Sequence, residues 1–428
     1  MILEKPPLFG SRKEFLIVAG VLLSIIFFRL FLLYGEYREF ISKPFYYTDA
    51  IVLQQQKREH GGRSFVLLKL RDVEGRLFYT TAHLSRSLAG KRVRVKMFPN
   101  ETIGFVDYLG RFYIRTVLRE RGEPPEEKRR TVLEWIGSQH DDPEIAAFYQ
   151  AIFLAEPIPV SLRRKISGLG VSHLVALSGF HLTILWGLIY GALSLLYRPL
   201  QQRWFPWRFM LLDMGIVTLG VLGFYLYFVG SPPSLLRSYA MLLIAWMMLV
   251  AGIELLSFTF LASVTLLLSA LFPALLASLG FWFSIAGVFY IYLLIYWSQR
   301  SGGIWAGKWM ITLLFIPAGI YILMLPVVHM VFAGVTAWQL LTPILSLLFA
   351  PFYPLSIALH LLGCGDLLDG ALRWLFSLPS EVHRHLLPVW AGGIYLLLSL
   401  GAVWSRLFFA LTLGSALLYF AYLFLFVQ

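Results

Sequence analysis

His173, Ser178 and His181 stand at the start of a membrane-length apolar run, in the segment Gly168-Leu-Gly-Val-Ser-His-Leu-Val-Ala-Leu-Ser-Gly-Phe-His181. A serine beside a histidine is the material of a nucleophile and its general base, and two histidines begin a metal set. The spacing completes neither. On one continuous helix positions 173 and 181 lie about 80° apart, so only Ser178 and His181, one turn apart, are close neighbours. No carboxylate stands within fifteen residues to orient either ring, as a triad requires. The sequence therefore names no catalytic residue, no metal ligand and no cofactor. Three roles stay open: a hydrolytic Ser178/His181 pair, hydrogen bonding between helices, and the polar lining of a conduit. An unsatisfied polar group in hydrocarbon costs several kcal/mol, so such side chains face a cavity, a pore or a partner helix. Gly168, Gly170 and Gly179 suit a kinked helix start on each reading.

Two further sets carry charge. In Gly230-Ser-Pro-Pro-Ser-Leu-Leu-Arg237-Ser-Tyr-Ala-Met241 the prolines suit the first turn of a helix. Arg237 then sits about 7.5 Å inside it. An arginine at membrane depth costs about 2.5–3.5 kcal/mol, so it must snorkel, pair or line water. Glu254 reads as a loop charge at the end of that span. Outside the apolar region, Arg92-Val-Arg-Val-Lys-Met97 alternates strictly and puts Arg92, Arg94 and Lys96 on one strand face. Arg111, Tyr113 and Arg115 repeat the theme. Cations interleaved with an aromatic ring suit a sequence-tolerant single-strand binder, since cations follow phosphates and rings stack on bases. A solvated strand face has the same pattern.

The elements that must hold these residues follow from composition. The chain has 428 residues, 58% hydrophobic and 14% charged, against roughly 25% charged in an ordinary globular domain. We expect a polytopic α-helical membrane protein of about ten transmembrane helices, some broken, with an OB-like β-barrel outside the membrane. The boundaries read as an N-terminal transmembrane anchor at 1–35, the barrel at 44–118, a linker with amphipathic helices at 119–165 and a channel domain at 166–428. Apolar spans are expected at 15–34, 172–197, 209–229, 234–252, 256–276, 281–297, 309–329, 339–363, 386–403 and 407–427. Breaks are expected at Pro343, Pro351 and Pro354.

Five strands are expected, at 46–53, 64–71, 77–81, 92–98 and 111–117, separated by Gly61-Gly62, Glu74-Gly75, Ala89-Gly90 and Leu109-Gly110. Ile145, Phe148, Tyr149 and Ile152 share one helix face, which either lies on the membrane or packs on the bundle. The net charge is +12, and the charged residues concentrate in 36–165, with 23 Lys/Arg and 17 Asp/Glu against 9 and 5 in 166–428; the basic balance suits anionic lipid or a polyanionic substrate. Lys5, Arg12 and Lys13 before the first span, with Arg198, Arg203, Arg208, Arg300 and Lys308 in later loops, agree on one topology with the barrel on the extracytoplasmic side. No phosphate-binding G-x-x-x-x-G-K-[ST] loop occurs, the single cysteine, Cys364, excludes a disulfide within the chain, and no internal repeat is visible.

At these residues the chain resembles the ComEC competence family, inner-membrane channels for DNA uptake in natural transformation. Gly168–His181 is similar to that family's glycine, histidine and serine-glycine signature, and Pro233–Met241 to its proline-serine, arginine and methionine block. Phe272-Pro273 with Leu279–Val288, which includes Ser284, is similar to a third block. Phe180 and Trp282 depart from it, standing where leucine and glutamine are usual.

The resemblance implies transport of single-stranded DNA across the bacterial inner (plasma) membrane, without enzymatic activity. It marks His173, Ser178, Gly179, His181, Arg237 and Ser284 as channel-lining or helix-pinning positions. It also implies an extracytoplasmic DNA receptor and a cytoplasmic helicase as partners, besides membrane lipids. Longer members carry a metallo-β-lactamase-like domain, and His383-Arg-His385 does not make its metal pattern, so strand degradation would fall to a separate nuclease. The alternatives are the intramembrane hydrolase and a small-solute transporter.

Overall fold

The computed structural model describes residues 6–60, 63–82, 88, 90–120, 127–254, 256–300, 309–378 and 382–427. The expected turn at Gly61-Gly62, Ala89 of the Ala89-Gly90 turn, the proline-marked stretch at 123–126 and the loop cation Lys308 lie outside the described residues. The chain divides into two compact units, Phe9–Thr131 with Ala262–Trp282, and Val132–Leu261 with Phe283–Gln428 and a short N-terminal stretch.

The first unit begins with α1 (Arg12–Ser42), whose N-cap Ser11 accepts from the Glu14 N–H at 3.2 Å. At 31 residues it is longer than the roughly 30 Å apolar core of a bilayer requires. Its last turns bury Phe40 and bring the Tyr37 hydroxyl to the Ile103 carbonyl at 2.9 Å. Within the span, Arg29 is satisfied by donating to the free carbonyls of Ala270 and Leu271 at 2.8 and 2.6 Å, groups a helix end leaves open.

Six strands follow: β1 (Tyr46–His60), β2 (Arg63–Asp72), β3 (Leu77–Ala82), β4 (Arg92–Phe98) and, after α2 (Phe105–Leu109), β5 (Arg111–Tyr113) and β6 (Arg115–Glu120). Their order is β5-β3-β2-β1-β4-β6. The length of β1 lets its first half pair with β4 and its second half with β2, with a bulge between Val52 and Gln54. Val93, Val95 and Met97 are fully buried while Arg92 and Arg94 face out, as the alternation requires.

In place of the expected five-stranded OB-like barrel the structure has a six-stranded sheet that does not close into a barrel. The last expected strand divides at Ile114, so β5 pairs with β3 and β6 with β4. The two ends meet through the covalent chain and a Thr80–Thr116 hydroxyl contact of 2.8 Å, with no ladder between β5 and β6.

The sheet core is closed at one end by a buried ion pair. Asp72 takes the Arg76 backbone N–H at 2.8 Å and its Nε at 2.7 Å, and the guanidinium lies 5.1 Å from the Phe40 ring centroid and 4.9 Å from that of Tyr46. Burial opposes the Arg76 charge, but Asp72 and the Tyr108 hydroxyl outweigh it and hold its pKa above the ordinary value.

The second unit is helical: α3 (Glu127–Gly137), α4 (Pro143–Leu154), α5 (Val160–Gly168), α6 (Ser172–Val175), α7 (Gly179–Trp204), α8 (Met210–Phe228), α9 (Pro233–Val250), α10 (Phe258–Leu271), α11 (Leu279–Arg300), α12 (Trp309–His329), α13 (Thr342–Leu361), α14 (Asp369–Ser377), α15 (Val389–Gly401) and α16 (Arg406–Phe426), the ends of α3, α10 and α11 falling in the first unit. Among the described residues, six helices are long and apolar enough to cross a membrane: α1, α7, α8, α11, α16 and α13 with the turn before it. Four shorter apolar helices occupy the other expected spans. The 13 residues of α15 reach about 20 Å, short of a full crossing.

The prolines do not break α13: Pro343 sits in its first turn, and Pro351 and Pro354 lie inside it. Ile145, Phe148, Tyr149 and Ile152 of α4 are buried in the main apolar cluster of this unit, so that face packs on protein.

Replacing Asp72 by alanine removes the buried partner of the Arg76 guanidinium, leaves only the half-exposed Glu74 carboxylate at 2.9 Å, and should destabilise the sheet unit by about 3 kcal/mol. Thermal melts of the detergent-solubilised chain, read on the sheet signal, check this. An unchanged midpoint would mean that the pair is dispensable.

Candidate functional site

The signature segment is not one helix. Chain segment 169–178 holds the short α6 flanked by two irregular stretches, and the span expected at 172–197 begins instead at Gly179, with extended Ser178 as its N-cap. The break follows from local chemistry. Gly170 has φ +71°, and a Cβ there would come within 2.5 Å of the Thr342 hydroxyl and 3.1 Å of Gln339 Cγ. The carbonyls this break frees are taken by side chains from across the unit. Thr336 donates to Gly168 O, and Thr342 donates to Leu169 O at 3.1 Å.

His173 and His181 therefore sit on different elements. His173 is exposed, with Nε2 3.3 Å from the Ser346 hydroxyl of α13. His181 is fully buried, and its Nδ1 accepts the Ser178 backbone N–H at 3.3 Å. The Ser178 hydroxyl lies at the same distance from Nδ1. Accepting at Nδ1 puts the proton of a neutral ring on Nε2, which has no hydrogen-bond partner among the described residues; the ring stands at 70° and 85° to Phe349 and Tyr353, 5.1 and 4.9 Å away. This is the geometry of a helix cap built from the third residue of the helix.

Gly179 brings the second set into contact with the first: a Cβ there would meet the Ser238 hydroxyl at 3.2 Å, so α7 begins against α9. The neighbouring Arg237 is half-buried, and its buried Nε has no hydrogen-bond partner among the described residues. Ser284 is half-buried in α11, and among the described residues no hydrogen bond joins it to the other two blocks. Among the described residues no group of three His, Cys, Asp or Glu side chains is placed to hold a metal ion. The residues that sequence reasoning missed here are Thr336, Gln339, Thr342 and Ser346. Gly170 was the one local signal, since a left-handed glycine implies a close neighbour.

On the sheet, Arg92 and Arg94 face outward, and Lys96 Nζ lies 4.2, 5.5 and 5.4 Å from the ring centroids of Phe45, Tyr47 and Phe98. Arg111 and Tyr113 on β5 and Arg115 on β6 are all exposed and alternate with buried Phe112 and Ile114, so the second trio stays adjacent across the division at Ile114. Sequence reasoning also missed Lys69 and Arg71 of β2, which alternate with buried Leu68 and Leu70. Burial, then the charges of Arg111 and Arg71, push the Lys69 pKa from 10.5 down to about 8.

A group whose folded pKa is depressed in this way carries an unfavourable charge at neutral pH. The chain should therefore gain stability as pH rises from about 8 toward 10.5. An anion bound there would act in the same direction at constant pH. Lys69→Met should raise the sheet melting midpoint at neutral pH and abolish the alkaline gain. Melts across pH test this, and a mutant that follows the parent in both would refute it.

No curated protein and no solved structure matches the chain. One family profile, described as Competence protein, matches residues 155–425. That stretch is well over half of the chain and contains all three sequence blocks, so the chain belongs to the ComEC-type competence protein family.

Proposed function

We propose that this protein passes one strand of incoming DNA across the bacterial inner membrane into the cytoplasm during natural transformation. Membership of the competence family associates the chain with DNA uptake, in a family of transporter-type channels and not of catalysts. The observation that carries the finer reading is the junction of the first two signature blocks, where Gly179 abuts Ser238 beside a buried, unpartnered Arg237 Nε. A nucleic-acid strand carries one charge per nucleotide and has no end within the bilayer. It needs a continuous hydrated path with weak, repeated sites, and a guanidinium with a spare donor can supply one such site.

On this reading residues 1–35 anchor the chain and 44–118 form an OB-like domain on the extracytoplasmic side. Residues 119–165 link it to the channel domain at 166–428. The outward cations and rings of the sheet, Arg92, Arg94, Lys96, Arg111, Tyr113 and Arg115 with Lys69 and Arg71, receive single-stranded DNA. A receptor outside the membrane, a helicase inside and a separate nuclease complete the pathway. The hydrolase alternative finds little support: Ser178 and His181 lie 3.3 Å apart, but the histidine nitrogen serves the Ser178 backbone and no carboxylate orients the ring.

Ser178→Ala should be mild, because the cap rests on the backbone N–H and His181 Nδ1. His181→Leu leaves that N–H unpaired in a buried site and should lower cytoplasmic arrival of labelled DNA at least tenfold while uptake across the outer envelope is unchanged. Both assays are run at matched protein levels. Equal loss from the two substitutions would favour the hydrolase, because a nucleophile and its base act as a unit. A silent His181→Leu would reject the proposed role of the cap.

A further inference from the structure

A second polar cluster in the helical unit belongs to none of the sequence blocks. His140, in the turn between α3 and α4, places Nδ1 3.0 Å from both carboxylate oxygens of Asp369 and Nε2 3.0 Å from His360 Nε2. His360 Nδ1 lies 2.7 Å from the Ser356 carbonyl. The side chains of His140 and Asp369 are 0% and 3% exposed, and His360 is 2% exposed. Gln139 ties the same two segments together: it accepts the Gly365 N–H at 3.0 Å and donates to the His360 carbonyl at 3.2 Å.

The three bridges fix the number of protons. A carbonyl only accepts, so His360 carries its proton on Nδ1 and offers a lone pair at Nε2. His140 must then donate from Nε2. The remaining bridge, between Asp369 and His140 Nδ1, holds one more proton on either partner. Three bridges hold three protons at zero net charge. Loss of one proton to solvent leaves a net negative charge in a buried site and two lone pairs facing each other across 3.0 Å. Gain of one sets two N–H groups against each other at the same place. Either change costs desolvation without a compensating bond.

The titratable and charged groups on the surrounding elements are Glu134 on α3, Asp141 and Asp142 in the turn, Glu144 paired with Lys165 at 2.6 Å, Tyr353 on α13, Cys364 and Asp366 after it, and Arg373 on α14. Tyr149 touches the cluster directly. Its ring is stacked on His140 with centroids 4.6 Å apart, and it contacts His360 at 4.6 Å.

The geometry points to a proton-counting clasp: Asp369, His140 and His360 hold the α3–α4 turn against the end of α13 in one protonation state and release it when a proton is lost. Since α13 also seats the signature segment, release frees one end of the helix on which that segment rests. The clasp does not depend on what is transported.

The only cysteine of the chain, Cys364, is exposed beside the clasp. Spin labels on Cys364 and on Ser138→Cys, in the full chain in lipid nanodiscs, report closure as dipolar broadening. The parent should show broadening at neutral pH that is lost as the pH is raised. Asp369→Asn can donate from its amide to His140 Nδ1, so it keeps three bridges without the ionisable carboxyl, and should stay broadened across the alkaline range. Asp369→Ala should lose the broadening at every pH, and if it fails to insert, the asparagine comparison stands alone. Broadening in the parent that ignores pH, or an asparagine variant that titrates like the parent, would overturn the clasp.

Discussion

One face of α13 carries the helical unit. Thr342, Ser346, Phe349, Tyr353, Ser356 and His360 recur at alternating spacings of four and three, so they form one stripe along the helix. Each position has a task. Thr342 takes up the Leu169 carbonyl, Ser346 meets His173, Phe349 and Tyr353 enclose His181, and the Ser356 carbonyl orients His360 toward His140. The constraint behind this is the cost of leaving backbone groups unpaired away from water. A signature segment that interrupts its own helix frees carbonyls, and only a neighbour with hydroxyls at the right turn can satisfy them. The irregular backbone and the polar stripe therefore require one another.

The sheet unit meets the opposite problem, since it concentrates like charge. Burial and then the charges of Arg111 and Arg71 depress the ionisation of Lys69, and Lys96 is instead covered by three aromatic rings. A surface that disfavours its own cations is one that an anion would stabilise, which is the physical ground for the role proposed for it. The buried Asp72–Arg76 pair is spent differently, holding the last turns of α1 and the sheet core in register through Phe40, Tyr46 and Tyr108.

Much of this architecture is legible in the sequence because it is periodic. Hydropathy locates the apolar spans, of which six have full crossing length and four are shorter among the described residues. Strict alternation places Arg92 and Arg94 outward and Val93 and Val95 inward. The reading fails where one residue changes the local rule. At Ile114 a single strand becomes two that pair with different neighbours, while at Ala176–Ser178 a continuous helix becomes a capped break. The partners that matter most are distant in the chain: Thr336 from Gly168 by 168 residues, Thr342 from Leu169 by 173 and Asp369 from His140 by 229. No local pattern announces such contacts, and only tertiary packing selects them.

The central claim is that the signature segment works because α13 seats its broken backbone. The most direct measurement is cytoplasmic arrival of labelled DNA in Gly170→Ala compared with Gly187→Ala at equal membrane abundance. A methyl at 170 would fall 2.5 Å from the Thr342 hydroxyl in a left-handed conformation, whereas one at 187 would meet nothing within 4 Å. The account predicts loss of cytoplasmic DNA in Gly170→Ala with uptake across the outer envelope preserved, and parental behaviour in Gly187→Ala. Parental transport by Gly170→Ala would contradict it.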